Sequence, residues 1–393
     1  MAEIKNNIYY VGAKDWDRKF FDELVPLSEG TTYNAYFIKG SEKNVLIDSV
    51  DPEKFDTLLS NLERLGVEKI DYIVSLHCEQ DHSGCIPVIL QEFPECKVVT
   101  NEKNCGLLQE HLHISPEQIQ VIEEWETLSL GDKTLQFFFI PWVHWPETMA
   151  AYLQEDKVLF PCDMFGSHYA TSEMFAKSDA YQLELIKSYY AEIMMPYKKV
   201  IVKNLEKIDQ LDIDMIAASH GPIYDDPQFP INAYKDWVSD KVTNHVVIPY
   251  ISMHHSTRIM VEHLIDELTE RGIHARPYNL IGCDISQLAS SLVDSATVVL
   301  AGPQILAGPH PALANAAFLA NMLKPKTKFV SIMGSYGWGG KMVEKLKAAI
   351  PNIKAELIEP LMIKGMPRED DLQLINEFAD KILEKHRSEG LVE

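Results

Sequence analysis

The sequence predicts an α/β protein of two domains, in which the second domain is a doubly wound parallel sheet. Three observations support this prediction. The chain has 393 residues, and domains usually take about 100–200 residues each. Up to residue 243 the strand-like runs are irregularly spaced, and several of them end at residues of the types that bind metals. From Val246 onward, strand and helix patterns alternate strictly, as they do in proteins with parallel sheets. We therefore predict domains at residues 1–243 and 244–393.

Composition and charge limit the classes of function. A hydrophobic fraction of 46% and a charged fraction of 24% are typical of a globular protein. The formal net charge of −22 argues against nucleic-acid and anionic-membrane binding, because phosphates require a basic surface. The sequence shows no apolar run of about 18 residues, no secretory signal after Met1, and six cysteines without a Cys-x-x-Cys pair. We expect a cytoplasmic protein with reduced thiols and no membrane contact.

The first domain begins with short strands and one well-marked helix. Apolar runs rich in β-branched residues predict early strands at Ile8–Val11, Tyr33–Lys39 and Asn44–Ile47. A helix is predicted over Pro52–Leu65, because Asp51 can cap it and Gly66 follows its last turn. Later helices are predicted from Ile86, over Tyr181–Met194 and over Lys198–Leu205.

The second domain repeats a strand followed by a helix five times. The predicted strands are Val246–Ser252, Ala275–Asn279, Thr297–Ala301, Lys328–Gly334 and Glu356–Ile358. The helices that follow them are Thr257–Arg271, Ile285–Val293, Pro311–Leu323, Gly339–Ala349 and Glu369–Lys385. Five such units over about 150 residues indicate a parallel sheet with helices on both faces.

One stretch of the first domain concentrates side chains that bind metals. Four of them lie within six residues: His77, Glu79, Asp81 and His82. The apolar run Ile70–Ser75 precedes them and predicts a buried strand. A rigid strand therefore delivers these side chains into the loop at its end, where functional sites are usually built.

Three further residues of the same kind follow other predicted strands. His144 comes after Thr134–Ile140, Asp163 after Lys157–Phe160, and His220 after Met215–Ser219. Four strand ends that each offer a ligand suggest one site assembled from distant segments. Seven other histidines are interpreted as surface or core residues: His111, His113, His245, His263, His274, His310 and His386. Cys78 and Cys162 are interpreted as buried structural thiols.

The chemistry of the seven residues favours two redox-active metal ions. Four imidazoles and three carboxylates suit iron or manganese better than a structural zinc site. Asp163 has two oxygens and can bridge two ions. Two divalent ions carry +4 and three carboxylates −3, so one bridging hydroxide would make the core neutral.

The pattern His77-x-Glu79-x-Asp81-His82 resembles the metallo-β-lactamase motif, with Glu79 in place of its second histidine. This replacement, followed by Ser83 and Gly84, is characteristic of flavodiiron proteins, and the chain resembles that family. The resemblance implies a metallo-β-lactamase-like αββα sandwich followed by a flavodoxin-like domain. It assigns His77, Glu79 and His144 to one iron and Asp81, His82 and His220 to the other. Asp163 is assigned to both irons as a bridging ligand. His168 is expected beside these ligands, where it could orient one of them.

The loops after the first, third and fourth strands of the second domain predict an FMN site. Doubly wound sheets bind ligands outside the carboxyl ends of their strands, where the strand order reverses. Hydroxyl and N–H groups at a helix start hold phosphate, and aromatic side chains can stack on the ring. The predicted contacts are Ser252, Met253, His254, His255, Ser256, Thr257, Pro303, Gln304, Ile305, Leu306, Ala307, Ser335, Tyr336, Gly337, Trp338 and Gly339. The dinucleotide fingerprint Gly-x-Gly-x-x-Gly is absent.

Several positions in these loops depart from the family's usual sequence. Ile251 stands where Asp is common, His254 where an aromatic residue is common, and Gln304 where Thr is usual. His254 and His255 could add positive charge to the phosphate cradle or change protonation between pH 5 and 8. They could equally be exposed polar loop residues.

The resemblance also implies an activity and partners. Flavodiiron proteins reduce O₂ to water, NO to N₂O, or both, and so scavenge these gases in anaerobes. They take electrons from rubredoxin or from reduced coenzyme F420. The family forms head-to-tail homodimers, or dimers of dimers, in which the FMN of one subunit lies against the diiron site of its partner. The sequence leaves the choice between O₂ and NO open.

Two other functions fit parts of the sequence. The first is a binuclear metal hydrolase of the metallo-β-lactamase superfamily fused to a flavodoxin-like domain, acting through a zinc-bound hydroxide. The second is a flavodoxin-like electron carrier whose first domain only docks partners. Glu79 and the flavin loops argue against the hydrolase, and the complete set of seven ligands argues against the carrier.

Overall fold

The computed structural model describes residues 2–393. The chain divides into two compact units, one ending at Val238 and the other running over Ser239–Glu393. The predicted boundary after residue 243 falls within the first strand of the second unit, which begins at Thr243. Within residues 2–393, no helix has both the length and the apolar character needed to cross a membrane.

The first unit contains two main sheets and seven α-helices. Its strands are β1 (Ala2–Lys5), β2 (Ile8–Tyr10), β3 (Ala13–Asp15), β4 (Phe20–Phe21), β5 (Val25–Pro26), β6 (Thr31–Tyr33), β7 (Tyr36–Lys39), β8 (Asn44–Ile47), β9 (Tyr72–Val74), β10 (Lys97–Thr100), β11 (Ile119–Val121), β12 (Thr127–Ser129), β13 (Thr134–Phe139), β14 (Met149–Leu153), β15 (Val158–Phe160) and β16 (Met215–Ile216). Its helices are α1 (Phe55–Arg64), α2 (Gln80–Ser83), α3 (Ile86–Glu92), α4 (Glu102–Leu112), α5 (Ala180–Tyr189), α6 (Lys198–Ile208) and α7 (Gln228–Trp237).

The two main sheets pack face to face. One has the order β1-β2-β7-β8-β9-β10-β11 and the other β12-β13-β14-β15-β16. Inward side chains of both sheets, such as Ile38, Phe137 and Phe160, share one hydrophobic core. The opposite face of the first sheet packs on helices through a second core that includes Leu58 and Ile86. This layered arrangement, with helices outside paired sheets, confirms the predicted sandwich.

Local sequence explains where these elements begin and end. The Asp51 carboxylate accepts a hydrogen bond from the Glu53 N–H and starts a 3₁₀ turn, Pro52–Lys54, which continues into α1. Gly66 follows the helix at φ +66°, in the left-handed region that glycine adopts most easily. The predicted strand Tyr33–Lys39 is two strands, because the buried Asn34 leaves the sheet and donates hydrogen bonds to the carbonyls of Ala218 and Gly221.

The second unit is a parallel sheet with five α-helices. Its strands are β17 (Thr243–Tyr250), β18 (His274–Asn279), β19 (Ser295–Ile305), β20 (Gly308–Pro309), β21 (Phe329–Tyr336), β22 (Glu356–Leu357) and β23 (Leu361–Lys364). Its helices are α8 (Ser256–Glu270), α9 (Ile285–Leu292), α10 (Pro311–Leu323), α11 (Met342–Ala349) and α12 (Glu369–Ser388). The sheet order β18-β17-β19-β21-β22 is that of a flavodoxin-like fold, as predicted.

One predicted helix in this unit starts later than expected. The glycine-rich segment after β21 stays a loop, and α11 begins at Met342 instead of Gly339. Two contacts hold this loop against the β19–β20 hairpin. The Lys341 N–H donates to the Ala307 carbonyl at 3.2 Å, and the Gln304 amide donates to the Trp338 carbonyl at 2.6 Å.

A buried histidine joins the last helix to the sheet. His386 of α12 is fully buried and lies between Thr297 and Asn244. The Asn244 amide nitrogen donates to the Gly272 carbonyl, so its oxygen faces His386 and accepts from Nδ1. The other ring nitrogen, Nε2, therefore accepts from the Thr297 hydroxyl at 2.8 Å. Burial lowers the pKa of His386 to about 4, which favours this neutral form.

Candidate metal centre and flavin cavity

The loop after β9 places the first four candidate ligands. β9 is buried and ends at Val74, and a short helix, α2, begins at Gln80. The Asp48 carboxylate accepts from the Leu76 N–H at 2.7 Å, and the Ser83 hydroxyl donates to the Cys78 carbonyl at 2.5 Å. The loop is therefore tied at both ends. It presents the side chains of His77, Glu79, Asp81 and His82 on one side.

Three other strand ends bring the remaining candidates to the same place. His144 follows β13, Asp163 follows β15, and His220 follows β16. The Asn34 amide holds the His220 loop by its two hydrogen bonds to backbone carbonyls. The structure thus brings all seven predicted ligands together, although they are scattered over more than a third of the chain.

The seven side chains form two groups. The ligand atoms of His77, Glu79, His144 and Asp163 all lie within 4.8 Å of one another. Those of Asp81, His82 and His220 form a second group with the same spacing. This division matches the two sets that the sequence resemblance assigns to two metal ions.

Asp163 connects the two groups. Its Oδ1 lies 3.2 Å from His82 Nε2 and 3.3 Å from His220 Nε2. Its Oδ2 lies 3.7 Å from His77 Nε2 and 3.9 Å from His144 Nε2. One carboxylate therefore faces all four imidazoles, with one oxygen directed to each group, as a bridging ligand requires.

Unpaired polar atoms show that the site suits cations. Both carboxylate oxygens of Asp81, Nε2 of His82, Oδ2 of Asp163 and Nε2 of His220 are buried and form no hydrogen bond with the described residues. Burying polar atoms without partners costs free energy. Two metal ions would satisfy all of them at once, and a set of nitrogen and oxygen donors suits iron.

The charges in the site are strongly coupled. Burial lowers the pKa of His77, but hydrogen bonds to Glu147 and Glu79 raise it to about 10. Burial likewise opposes the charged form of His220, yet the nearby carboxylates of Asp163 and Asp81, 3.3 and 3.2 Å from its Nε2, raise its pKa to about 9. The pKa of Asp163 is held well below its usual value by the surrounding histidines, despite burial. Metal ions would take the place of these imidazolium protons, so binding should release protons.

Several side chains around the ligands were not found from the sequence. Glu147 accepts a hydrogen bond from His77 Nδ1 at 2.7 Å, and Asp48 lies 3.5 Å from His82 Nδ1. The Thr32 carbonyl accepts from His220 Nδ1 at 2.6 Å, and the Tyr189 hydroxyl donates to Asp163 at 2.9 Å. The only available signal was that Glu147 comes three residues after His144.

His168 packs beside a ligand without holding it. Its ring lies 5.5 Å from that of His220, and its Nδ1 is 2.9 Å from the Thr31 hydroxyl. Phe21 covers the same rings, 4.7 Å from His168 and 6.0 Å from His220. His168 therefore lies beside a ligand, as expected, and its described contacts with the site are ring contacts; its role in orienting a ligand stays a prediction.

The second unit contains a cavity of about 350 Å³ at the carboxyl ends of its strands. Twelve predicted FMN contacts line it: Ser252, Met253, His254, Ser256, Thr257, Pro303, Gln304, Ile305, Ser335, Tyr336, Gly337 and Trp338. Gly365 also lines it and was not predicted. Four predicted contacts lie outside the lining, namely His255, Leu306, Ala307 and Gly339. Leu306 is 90% exposed, because the β19–β20 hairpin turns it toward solvent.

The cavity has the features of a phosphate and ring site. Helix α8 begins at Ser256, and its N-cap residue, His255, makes no side-chain capping hydrogen bond. The Ser252 hydroxyl accepts from the Arg258 N–H at 3.2 Å, and the start of the helix, with this hydroxyl beside it, suits an anion. The Thr257 hydroxyl is buried 3.4 Å from the Ser335 hydroxyl. At Gly337 an added Cβ would meet nothing within 4 Å, so the loop leaves room for a flat ring beside Tyr336. These features fit FMN.

Comparisons with known proteins place the chain in a family. A family profile described as "ODP family beta lactamase" matches residues 31–221. A nitric oxide reductase of Moorella thermoacetica is 33% identical over 390 residues, which cover 96% of this chain and 97% of the relative. The coenzyme F420H₂ oxidase of Methanothermobacter marburgensis is 30% identical over 393 residues, which cover 96% of this chain and 97% of the relative. The chain belongs to the flavodiiron protein family.

Solved structures of flavodiiron proteins have the same fold. The rubredoxin oxygen:oxidoreductase of Desulfovibrio gigas superimposes with a TM-score of 0.94 at 29% identity, over 98% of each chain. The flavodiiron protein of Giardia intestinalis superimposes with a TM-score of 0.91 at 27% identity, over 98% of this chain and 97% of that chain. Membership confirms the predicted fold class, and it confirms FMN and a non-haem diiron pair as the cofactors of this flavodiiron protein.

Proposed function

We propose that this flavodiiron protein is an oxidoreductase that reduces O₂ to water, NO to N₂O, or both. The observation that carries the proposal is the position of Asp163, which faces the imidazoles of both ligand groups. Two irons that change between Fe(II) and Fe(III), together with a two-electron flavin, hold the four electrons that one O₂ needs. His77, Glu79 and His144 would hold one iron, Asp81, His82 and His220 the other, and Asp163 both.

The ligands differ in their access to solvent. The side chains of Glu79 and His144 are 12% and 13% exposed, whereas those of the other five are at most 7% exposed. A diatomic gas would therefore approach from the side of Glu79 and His144. Phe21, His168 and Tyr189 surround the His220 ring and exclude water from the opposite side.

Turnover with a chemically reduced donor tests the activity directly. Anaerobic protein with its natural metals would be mixed with reduced rubredoxin, and the consumption of O₂ and of NO measured side by side. Metal analysis of the same sample should give two irons per chain. Two zincs per chain, with neither gas consumed, would contradict the proposal and favour the hydrolase.

We further propose a homodimer in which each flavin cavity faces the metal site of the partner, with rubredoxin or reduced F420 as donor. Residues 1–238 contain 20 basic and 40 acidic residues, whereas residues 239–393 contain 16 basic and 18 acidic residues. The four segments around the cavity, 252–258, 303–311, 335–342 and 361–367, carry Arg258, Lys341 and Lys364 but no Asp or Glu. Exposed apolar side chains lie on the same segments: Met253, Leu306, Trp338 and Met366. A positive, apolar rim therefore complements the acidic metal unit of a second copy.

Mixing two inactive variants distinguishes transfer within a chain from transfer between chains. Asp163→Asn should lose the metal pair and keep FMN. Ser256→Glu places a carboxylate at the first turn of α8, where it should repel the FMN phosphate, and Ser256→Gln is its uncharged control. A mixed dimer regains activity if one subunit's flavin serves the partner's metals. Inactive mixtures that contain verified mixed dimers would contradict the head-to-tail arrangement.

A further inference from the structure

Glu147 lies outside the seven ligands but contacts the metal site directly. Its Oε1 accepts a hydrogen bond from His77 Nδ1 at 2.7 Å and one from the Cys78 N–H at 3.1 Å. The Asn101 amide donates to the Glu147 carbonyl at 2.6 Å, which fixes the backbone. Because Nδ1 donates to this carboxylate, Nε2 of His77, which faces Glu79 at 3.2 Å, is the ring nitrogen that would bind a metal ion once its proton is released.

The burial of Glu147 is not explained by folding alone. The residue is 2% exposed, and its Oε2 has no hydrogen-bond partner among the described residues. A buried carboxylate oxygen without a partner is unfavourable, and a neutral side chain of the same size would avoid that cost. The two donors to its other oxygen, His77 and Cys78, both belong to the ligand loop, so the charge of Glu147 is directed at the metal site.

We propose that Glu147 is a positioning residue that orients His77 and stabilises the more oxidised form of the metal pair. The inference rests on the proposed function, because it concerns the redox state of two irons. A negative charge transmitted through the imidazole strengthens the donor and favours the higher positive charge on the metal. Removing that charge makes the pair easier to reduce.

Two of the other histidines, His82 and His220, have weaker partners at Nδ1 than His77 has in Glu147. Asp48 is 3.5 Å from His82 Nδ1 and also accepts from the Leu76 N–H. His220 Nδ1 donates to a neutral carbonyl, that of Thr32. The charge contact is therefore closest on the His77 half of the site, and the two irons experience different surroundings.

Three variants separate charge, position and stability. Glu147→Gln keeps the shape and one acceptor but removes the charge. Glu147→Ala removes the acceptor as well. Asp71→Asn is the matched control, because Asp71 is a buried carboxylate of the same unit whose partners are Lys43, Lys69 and the Asn44 N–H.

Two measurements on each protein decide the matter. Metal-free protein would be titrated with Co(II) and Zn(II), and the iron-loaded protein would be titrated potentiometrically with the mixed-valent EPR signal as readout. Glu147→Gln should bind metal about 10–100-fold more weakly and show a raised reduction potential of the iron pair, and Glu147→Ala should bind more weakly still. Asp71→Asn should match wild type in both.

An unchanged potential in Glu147→Gln overturns the inference, whatever happens to affinity. An equal loss of affinity in Asp71→Asn also overturns it, because the effect would then be general destabilisation. If wild-type protein consumes neither O₂ nor NO, the proposed function fails separately. The Co(II) and Zn(II) titrations do not depend on turnover, so the two failures can be told apart.

Discussion

Replacing Asp163 by Asn tests the bridging arrangement most directly. The substitution keeps the shape and one oxygen but turns the other oxygen into an NH₂ donor, which cannot bind a cation. In the structure Oδ1 faces His82 and His220, and Oδ2 faces His77 and His144. One group therefore loses its shared oxygen, and both lose a negative charge.

The size of the effect follows from the burial of Asp163, which is 1% exposed. Removing one partner from a buried set of charges costs about 3–5 kcal/mol. Because 1.4 kcal/mol corresponds to a factor of ten, at least one ion should bind about 10²- to 4 × 10³-fold more weakly. We expect at most one iron per chain and no consumption of O₂ or NO.

The assay combines metal analysis with flavin absorbance on the same sample. Bound FMN should be unchanged, because its cavity lies in the other compact unit, and it serves as the internal control for folding. Two irons per chain together with full turnover in Asp163→Asn would refute the bridging assignment. Loss of both metal and FMN would indicate misfolding and would call for the Asp163→Glu variant, which keeps the charge.

Three further predictions concern stability and the flavin site. Because the folded pKa of His386, about 4, lies below its ordinary value of 6.5, the folded state binds fewer protons. The contribution of His386 to the free energy of unfolding of the second unit should be fully present above pH 6.5 and should fall by about 3 kcal/mol as the pH drops to 4. Urea titrations of His386→Gln should not show this pH dependence. In Gly334→Ala, the new Cβ would lie 2.3 Å from the Gly302 carbonyl oxygen. Calorimetry should therefore show that the free energy of unfolding falls by about 1–3 kcal/mol, and FMN should bind more weakly. Gly337→Ala is the control and should match wild type in stability, because its Cβ would meet nothing within 4 Å. Glu23 has φ +51° at the tip of the β4–β5 hairpin, so Glu23→Gly should raise the free energy of unfolding by about 0.5–1 kcal/mol, and a decrease would show that the turn is not strained.

The metal site was predictable because its ligands follow buried strands. Strand ends are rigid and converge at one edge of a sheet, so four apolar runs each followed by a polar residue indicated one site. The carboxylate Glu79 within the histidine motif then identified the family, which the comparisons confirm. The parallel sheet was predictable for a similar reason, since five strand and helix pairs leave few alternative topologies.

Residues that contact the ligands from distant parts of the chain were not predictable. Asp48 and Glu147 contact ligands that are 34 and 70 residues away in the chain, and the only local signal was that Glu147 comes three residues after His144. The same limit applies to Leu306, which the strand pattern placed at the flavin but which a two-residue hairpin turns outward. Sequence periodicity predicts elements, whereas the direction of a loop side chain depends on tertiary hydrogen bonds.

The carboxylates around the metal site offer a physical reason for redox chemistry instead of hydrolysis. Glu79, Asp81 and Asp163 are candidate ligands, and Asp48 and Glu147 lie directly behind two of the histidines. When all five are ionised, and before any bridging hydroxide is counted, two divalent ions leave a net charge of −1, and two trivalent ions leave +1. The charge of the five carboxylates, −5, lies midway between the magnitudes of the charges of the divalent pair, +4, and the trivalent pair, +6. Neither oxidation state of the metals therefore leaves a large unbalanced charge in the buried site. A zinc hydrolase stays at one charge throughout its cycle and gains nothing from this balance.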